Sequence, residues 1–199
     1  MIPRHLVIAI GVMLVAVLAM GFYAGRMRGR AAEAQPAAAS TQPVAPPVSG
    51  PTEKVTLYVA YDDPGILRSQ PAAIPLPSAR QQRAEELLRA LLAIYLSKDS
   101  PHPLAPAAEV RAVYLVTPGV AVIDLNSAFA NGHRSGVLEE ELTVASLIQT
   151  LVANIPDILR VKILVDGKER ETLAGHADLS DFYDTGAVAL LVSQLQSPQ

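Results

Sequence analysis

One uninterrupted apolar run, residues 6–23, constrains this chain more than any other feature. As a helix, a run of this length spans about 27 Å, close to the roughly 30 Å hydrocarbon core of a bilayer. The sequence therefore predicts one transmembrane helix at 6–23, preceded by a short N-terminal segment at 1–5. A cleaved signal peptide is the alternative, because Arg4 precedes the run and Ala32-Glu33-Ala34 is a small-x-small site beyond it.

The charges that flank the run leave the topology open. Arg26, Arg28 and Arg30 follow it, whereas Arg4 alone precedes it. By the positive-inside rule this count would place the C-terminal part in the cytoplasm, but a domain of this size can translocate regardless of flanking charge. The chain contains no cysteine, which excludes both disulfides and a lipid-modified N-terminal cysteine.

Residues 24–51 have the composition of a flexible linker. From Ala31 onward they are mostly Ala, Pro, Gln, Ser, Thr and Val, with almost no charge and no apolar periodicity. Such a segment cannot bury a core, and as a loose polyproline-II spacer it would reach at most about 60 Å. The composition therefore predicts a spacer that allows a folded domain to reach away from the membrane.

Charge is segregated along the chain. The first 51 residues carry a balance of +3 and the remainder a balance of −6, which together give the overall −3. An acidic domain without an interleaved aromatic and basic patch has little attraction for polyphosphate. Nucleic acid is therefore not expected as a partner.

Residues 52–184 predict a single α+β domain. The pattern gives the order β-α-β-β-α-β-β, with a mixed or antiparallel sheet and two helices packed on one face. The predicted strands and helices alternate as follows: a strand at 53–60, a helix at 84–97, strands at 110–116 and 120–125, a helix at 136–155, and strands at 160–166 and 168–173.

Several boundary signals accompany these elements. Ser78 with Gln81 forms a capping box before the first helix, and Ser135 is the N-cap candidate of the second. Residues 61–77 read as a proline-rich loop, and Asp166-Gly167 is a two-residue hairpin signal. The tail, residues 185–199, contains an apolar stretch at 187–195 that predicts a short docking helix, either on the core or on a partner.

Several sequence blocks carry a family resemblance. The run Val161-Lys162-Ile163-Leu164-Val165-Asp166-Gly167, followed by Glu171-Thr172-Leu173, Gly175-His176 and Asp178-Leu179-Ser180, resembles the C-terminal signature of the GerMN domain of sporulation and spore germination proteins. Residues 55–59, the leucine-rich helix at 84–92, and residues 122–127 with Phe129 resemble the remaining blocks in order. The resemblance covers about residues 53–182.

The resemblance implies a fold and a setting. It implies an α+β domain related to the ring-building modules of envelope and sporulation complexes, held outside the cytoplasm by a single-pass inner-membrane anchor. It also implies binding or assembly with envelope proteins, or self-assembly, without catalysis. The chain departs from the family's germination founder in having one copy and no lipid-anchor cysteine, which leaves a sporulation role open.

Five residues stand out as candidates for a ligand site or for structuring loops. Gly175, His176 and Asp178 follow the last predicted strand, whereas Asp124 lies at the end of the third predicted strand and Ser127 just after it. If residues 175–178 are extended, His176 and Asp178 share one face and could orient a ligand. This supports an alternative function as a receptor for a small ligand or a peptidoglycan fragment. Otherwise the same groups hydrogen-bond the loop to the sheet.

Other polar residues have ordinary interpretations. A hydrolase would need Ser127, His133 and a carboxylate to converge, yet no nucleophile elbow surrounds Ser127, and His133 reads as part of a solvated loop. Asp62-Asp63 reads as a turn, with a hard-metal site as the alternative. The acidic residues at 139–141 read as a solvated first helical turn or as a face for an electropositive partner. The sequence predicts no catalytic residue, cofactor or bound metal.

Overall fold

The computed structural model describes residues 51–77 and 79–196. The predicted membrane helix at 6–23, all but the last residue of the linker, residue 78 and the final three residues lie outside this range. The predicted cap at Ser78 therefore falls outside the described residues, and the N-cap of the first helix is Ala79, without a side-chain capping bond. None of the helices in the described part is long and apolar enough to cross a membrane.

The described chain is an α+β fold with two sheets and four helices. Its elements follow the order β1 Thr52–Tyr61, β2 Ile66–Pro75, α1 Arg80–Tyr95, β3 Val110–Val116, β4 Val120–Leu125, α2 Ser127–Asn131, α3 Val137–Asn154, β5 Arg160–Val165, β6 Tyr183–Asp184 and α4 Thr185–Leu195. The α+β class is confirmed, whereas the predicted order lacked β2 and α2 and misplaced the final strand.

The first two strands form a sheet of their own. β1 and β2 pair antiparallel over ten residues each, from Thr52 opposite Pro75 to Tyr61 opposite Ile66. The prediction of a proline-rich loop at 61–77 was wrong, because Pro71 and Pro75 lie in a strand whose one neighbour among the described residues is β1. A proline is tolerated at such an edge, where its missing N–H interrupts no ladder.

The second sheet has four strands in the order β3-β4-β5-β6. β3 pairs antiparallel with β4, and β4 pairs parallel with β5, so the sheet is mixed. Alternate residues on one face are fully buried, as the period of two requires: Val113, Ala121, Ile123, Leu125, Val161 and Ile163.

The two long helices supply most of the remaining core. α1 buries the predicted leucine-rich face and ends at Tyr95. α3 has a wide buried surface, as its apolar circumference predicted, and it contacts β1, α1 and α4. The N-cap prediction for Ser135 was wrong, because Gly136 is the N-cap and has no side chain to cap the helix. The backbone N–H of Gly136 points to the Glu140 carboxylate at 3.4 Å.

The chain after β5 turns as predicted but does not return as a strand. Asp166 and Gly167 both have positive φ, and Val165 and Lys168 exchange backbone hydrogen bonds across them. Residues 168–171 are polar and have no apolar alternation to bury, so pairing stops after one bridge. β6 is the strand that pairs antiparallel with β5.

The predicted tail helix forms and packs on the domain. α4 begins with Asp184 as N-cap, whose carboxylate accepts the Ala187 N–H at 3.0 Å. Val188, Val192 and Leu195 are buried, and α4 contacts α3. One face of the helix therefore covers the core, while Leu190 on the other remains 69% exposed.

Candidate functional site

A buried carboxylate holds the loop that contains the candidate residues Gly175 and His176. Glu140, in the first turns of α3, has no solvent exposure. Its Oε2 accepts the backbone N–H groups of Ala174, His176 and Ala177, each at 2.9 Å. Its Oε1 lies 2.9 Å from Nδ1 of His176. The loop is therefore wrapped around one side chain of the helix.

These contacts fix the charge of Glu140. Burial alone raises the pKa of this carboxyl, but the hydrogen bonds from the His176 ring and from the three N–H groups lower it to about 2. The carboxylate is therefore ionised at neutral pH. It can only accept, so Nδ1 of His176 carries the proton and Nε2 is the ring nitrogen left to face other groups.

Gly175 and Asp178 shape the rest of the loop. Gly175 has φ +123°, a conformation that side chains resist. Asp178 Oδ1 accepts the N–H of Ser180 at 2.8 Å and its hydroxyl at 2.6 Å. These two bonds hold the pKa of Asp178 below its usual range, so its carboxylate is also ionised.

His176 and Asp178 border a groove of about 270 Å³ between α3 and α4. Its wall is apolar, formed by Val137, Val144, Ala145, Ala177, Val188 and Leu191. Its polar groups are Glu141, His176, Asp178 and Tyr183. This combination of an apolar wall with a few convergent polar groups is typical of small-molecule sites.

Asp124 and Ser127 form a second group, which does not line this groove. Asp124 Oδ1 accepts the N–H of Gly167 at 2.7 Å, and Arg111 lies 3.6 Å from Oδ2. The Ser127 N–H points to Asp166 Oδ1 at 3.3 Å. Both residues thus hold the turn after β5, whereas Gly175, His176 and Asp178 lie together in the loop on α3.

A buried polar network was missed by the sequence analysis. His102 Nδ1 lies 2.5 Å from Asp62 Oδ1, and its Nε2 lies 2.6 Å from Thr143 Oγ1. His133 Nε2 lies 2.7 Å from the same hydroxyl, and its Nδ1 lies 2.6 Å from the Arg134 carbonyl oxygen. The network connects the β1–β2 turn, the loop after α1, the loop before α3 and α3 itself.

Proton counting constrains the tautomers in this network. The Asp62 carboxylate and the Arg134 carbonyl can only accept, so each requires a proton on the facing Nδ1. Thr143 has one hydroxyl proton, for which the Glu139 carbonyl at 2.9 Å competes with the two Nε2 atoms. Burial and the neighbouring His102 lower the pKa of His133.

These contacts correct two predictions. His133 is not solvated but 8% exposed, and Glu140 is not part of a solvated first turn but wholly buried. Asp62 lies in a turn, as predicted, and its carboxylate pairs with His102 and Arg134. Within residues 51–77 and 79–196, no group of three His, Asp or Glu side chains could hold a metal ion, and no hydrogen bond joins Ser127 to His133.

One sequence signal would have revealed the burial of Glu140. The helical stripe at Glu140, Val144, Leu147 and Leu151 follows the spacing i, i+4, i+7, i+11, so Glu140 lies on the apolar stripe rather than beside it. For His102, which stands between two prolines in a loop, no comparable periodicity exists.

The fold agrees with comparisons to known proteins. A family model described as "Sporulation and spore germination" (Germane) matches residues 56–171. The structure of the tandem GerMN domains of the sporulation protein GerM from Bacillus subtilis is similar, with a TM-score of 0.52 and 20% identity over 69% of this chain and 48% of that one. This chain thus spans about half of the tandem structure.

The first GerMN domain of the same Bacillus subtilis protein also matches, at a TM-score of 0.46 and 20% identity over 67% of this chain and 98% of that one. The comparison with curated protein sequences gave no match. At 20% identity the tandem structure supports the fold alone, and the predicted resemblance to GerMN domains is confirmed by the family model.

Replacing Glu140 is expected to release the 174–177 loop. Glu140→Ala leaves three buried N–H groups without an acceptor and should lower the free energy of unfolding by about 3 kcal/mol in urea titrations followed by circular dichroism. Glu139→Ala, in the same helical turn, is the control and should cost less than about 1 kcal/mol. Equal losses in the two variants would contradict the anchoring role.

The same carboxylate sets a pH dependence. Because the folded-state pKa of about 2 lies below the ordinary 4.5, the unfolded chain binds more protons in acid. The stabilisation is therefore complete above about pH 4.5 and lost as the pH falls towards 2. Glu140→Ala should show a flatter stability profile over this interval than the parent chain does.

Replacing Thr143 tests the histidine network. Thr143→Val keeps the shape but removes the hydroxyl shared by His102 and His133, and is expected to cost about 2 to 3 kcal/mol of unfolding free energy. Thr117→Val, at an exposed turn, is the matched control. A Thr143→Val variant as stable as this control would contradict the hydrogen-bond assignment.

Proposed function

We propose that this chain, which belongs to the sporulation and spore germination (Germane) family, is a non-enzymatic, membrane-tethered module that binds or assembles envelope proteins outside the cytoplasm. The apolar run at 6–23 and the linker at 24–51 support the tether. The binding role rests on a difference between the strand edges. The edges of β1, β2 and β6 are bonded by side chains or poorly suited to pairing, whereas β3 has a free edge without a strand partner in the described part of the chain.

The outer edge of β1 is closed by side chains. Asn154 Oδ1 accepts the Thr56 N–H at 3.0 Å and its Nδ2 donates to the Thr56 carbonyl at 2.7 Å. Further along, Thr150 Oγ1 accepts the Tyr58 N–H at 3.0 Å, and the Tyr95 hydroxyl accepts the Ala60 N–H at 2.8 Å. This edge has no free donors at these positions for an added strand.

Two other edges are poor templates for a different reason. β2 contains Pro71 and Pro75, which offer no N–H, and β6 is only two residues long. Prolines and short edge strands are the usual means by which sheets avoid edge-to-edge pairing. Neither strand therefore offers a long regular ladder.

β3 is different. Its seven residues contain no proline, its pairing with β4 is regular from Ala112 to Val116 after one irregularity between Val110 and Ala112, and among the described residues its one strand neighbour is β4. Tyr114 and Val116 beside this edge are 47% and 51% exposed. Backbone groups that lack a strand partner, together with exposed apolar side chains at alternate positions, fit an extended partner segment that adds to the sheet as a fifth strand. The partner class we propose is an extended segment of an envelope protein.

Site-directed crosslinking tests this function, because the chain contains no cysteine. A photocrosslinker attached at Val116→Cys in native membranes should give a higher-mass protein adduct, whereas Leu190→Cys on α4, where the parent residue is more exposed, should not. Tyr114→Arg in the Val116→Cys background should reduce the adduct severalfold. Recovery of monomer alone from Val116→Cys, or equal adducts from both sites, would contradict the proposal.

The groove beside His176 and Asp178 favours a second function, in which the chain is a receptor for a small ligand or a cell-wall fragment. The proposed reach of the linker, at most about 60 Å, suits such a role. In sedimentation with purified cell wall, the parent chain should enter the pellet, and His176→Ala should do so several times less. Gln194→Ala, on the exposed side of α4, is the control; identical sedimentation of the parent chain and His176→Ala would contradict a site at this groove.

A further inference from the structure

The polar rim of the groove between α3 and α4 is made almost entirely of hydrogen-bond acceptors. Glu141 and Asp178 contribute carboxylates. Asp178 has one oxygen engaged by Ser180, which leaves Oδ2. Nδ1–H of His176 donates to Glu140, so Nε2 is a further acceptor in the neutral tautomer of this ring.

The nearest cations are engaged elsewhere. The ammonium of Lys162 donates to the Leu179 carbonyl at 3.0 Å and to the Ser180 carbonyl, and lies 3.4 Å from Glu169. It stabilises the charge of Asp178 but is not among the groove-lining residues. The acceptor capacity of Glu140 is filled by hydrogen bonds from the His176 ring and the N–H groups of the loop, whereas Glu141 has no ion pair in the described part of the chain.

Tyr183 lies in the same negative electrostatic field, that of the carboxylates at the rim. Burial and the nearby carboxylates Asp178, Glu140 and Glu141 raise the pKa of this phenol to about 12. The side chain therefore stays neutral, and its hydroxyl donates to the Asp178 carbonyl. No anionic group of a ligand would find a compensating charge at this rim.

We infer that this groove binds an alkylammonium group, with the carbon chain on the apolar wall and the ammonium between Glu141, Asp178 and Nε2 of His176. The inference rests on the second proposed function, binding at this groove. A groove of about 270 Å³ has room for a single aliphatic chain. Three acceptors around a cation match the three donors of an ammonium group, and the apolar wall takes up its methylenes. The same chemistry occurs in free diamino compounds and in peptide-borne lysine side chains.

Matched probes test the class of ligand. Hexylammonium, hexanoate and hexanol have the same chain and differ in the charge of the head group. Ligand-observed NMR with the full-length chain in lipid nanodiscs should show hexylammonium binding more tightly than hexanol, and hexanoate not binding. Hexanoate or hexanol binding as tightly as hexylammonium, or no binding by hexylammonium, would overturn the inference.

Charge-neutral variants locate the site. Glu141→Gln and Asp178→Asn should each weaken hexylammonium binding about fivefold, the effect of one partly exposed ion pair. Asp181→Asn, an exposed carboxylate of the same loop that does not line the groove, is the control and should bind like the parent. Undiminished binding by the Glu141→Gln, Asp178→Asn double variant, with native circular dichroism, would overturn the assignment.

Two further measurements identify the source of the ammonium group and distinguish failure of the ligand class from failure of the receptor function. Tighter binding of Nα-acetyl-lysine methylamide than of free lysine would support a peptide-borne group, and the reverse order a free diamino compound. If hexanol binds the groove without any preference for the ammonium, the ligand class fails while the receptor function stands. Loss of cell-wall sedimentation in the parent chain would instead remove the receptor function itself.

Discussion

The burial of the Glu140 carboxylate is the interaction on which the rest of the candidate site depends. An ionised side chain without solvent exposure is tolerable only when its acceptor capacity is filled, and here three backbone N–H groups and the His176 ring fill it. The loop at 174–177 has no regular structure of its own. Its conformation, the tautomer of His176 and one side of the groove therefore follow from a single residue of α3.

α3 also organises the other polar contacts of the domain. Thr143 joins the two buried histidines, and Thr150 and Asn154 bond the edge of β1. The helix buries apolar side chains around most of its circumference, so these polar groups are embedded in the core and must find protein partners. One helix thus fixes the outer edge of the first sheet, two loops and the wall of the groove.

The sequence predicted the elements whose signals are local. The period of two in β3, β4 and β5, the leucine face of α1 and the Asp166-Gly167 turn are all present. β2 was missed because prolines obscure a strand whose pairing is decided by its neighbour β1. The contacts of His102 and Glu140 were missed because their partners lie 40 and 36 residues away, beyond any local pattern.

The side chains that bond the edge of β1 have a mechanical consequence. β1 begins at Thr52, so a pull on the chain that precedes the domain would enter it through this strand. β2 holds the strand along one side, and Asn154, Thr150 and Tyr95 hold it along the other. A pull along the strand axis would load these bonds together in shear rather than break them one at a time. If the proposed tether were under tension, the domain would resist unravelling from its first strand.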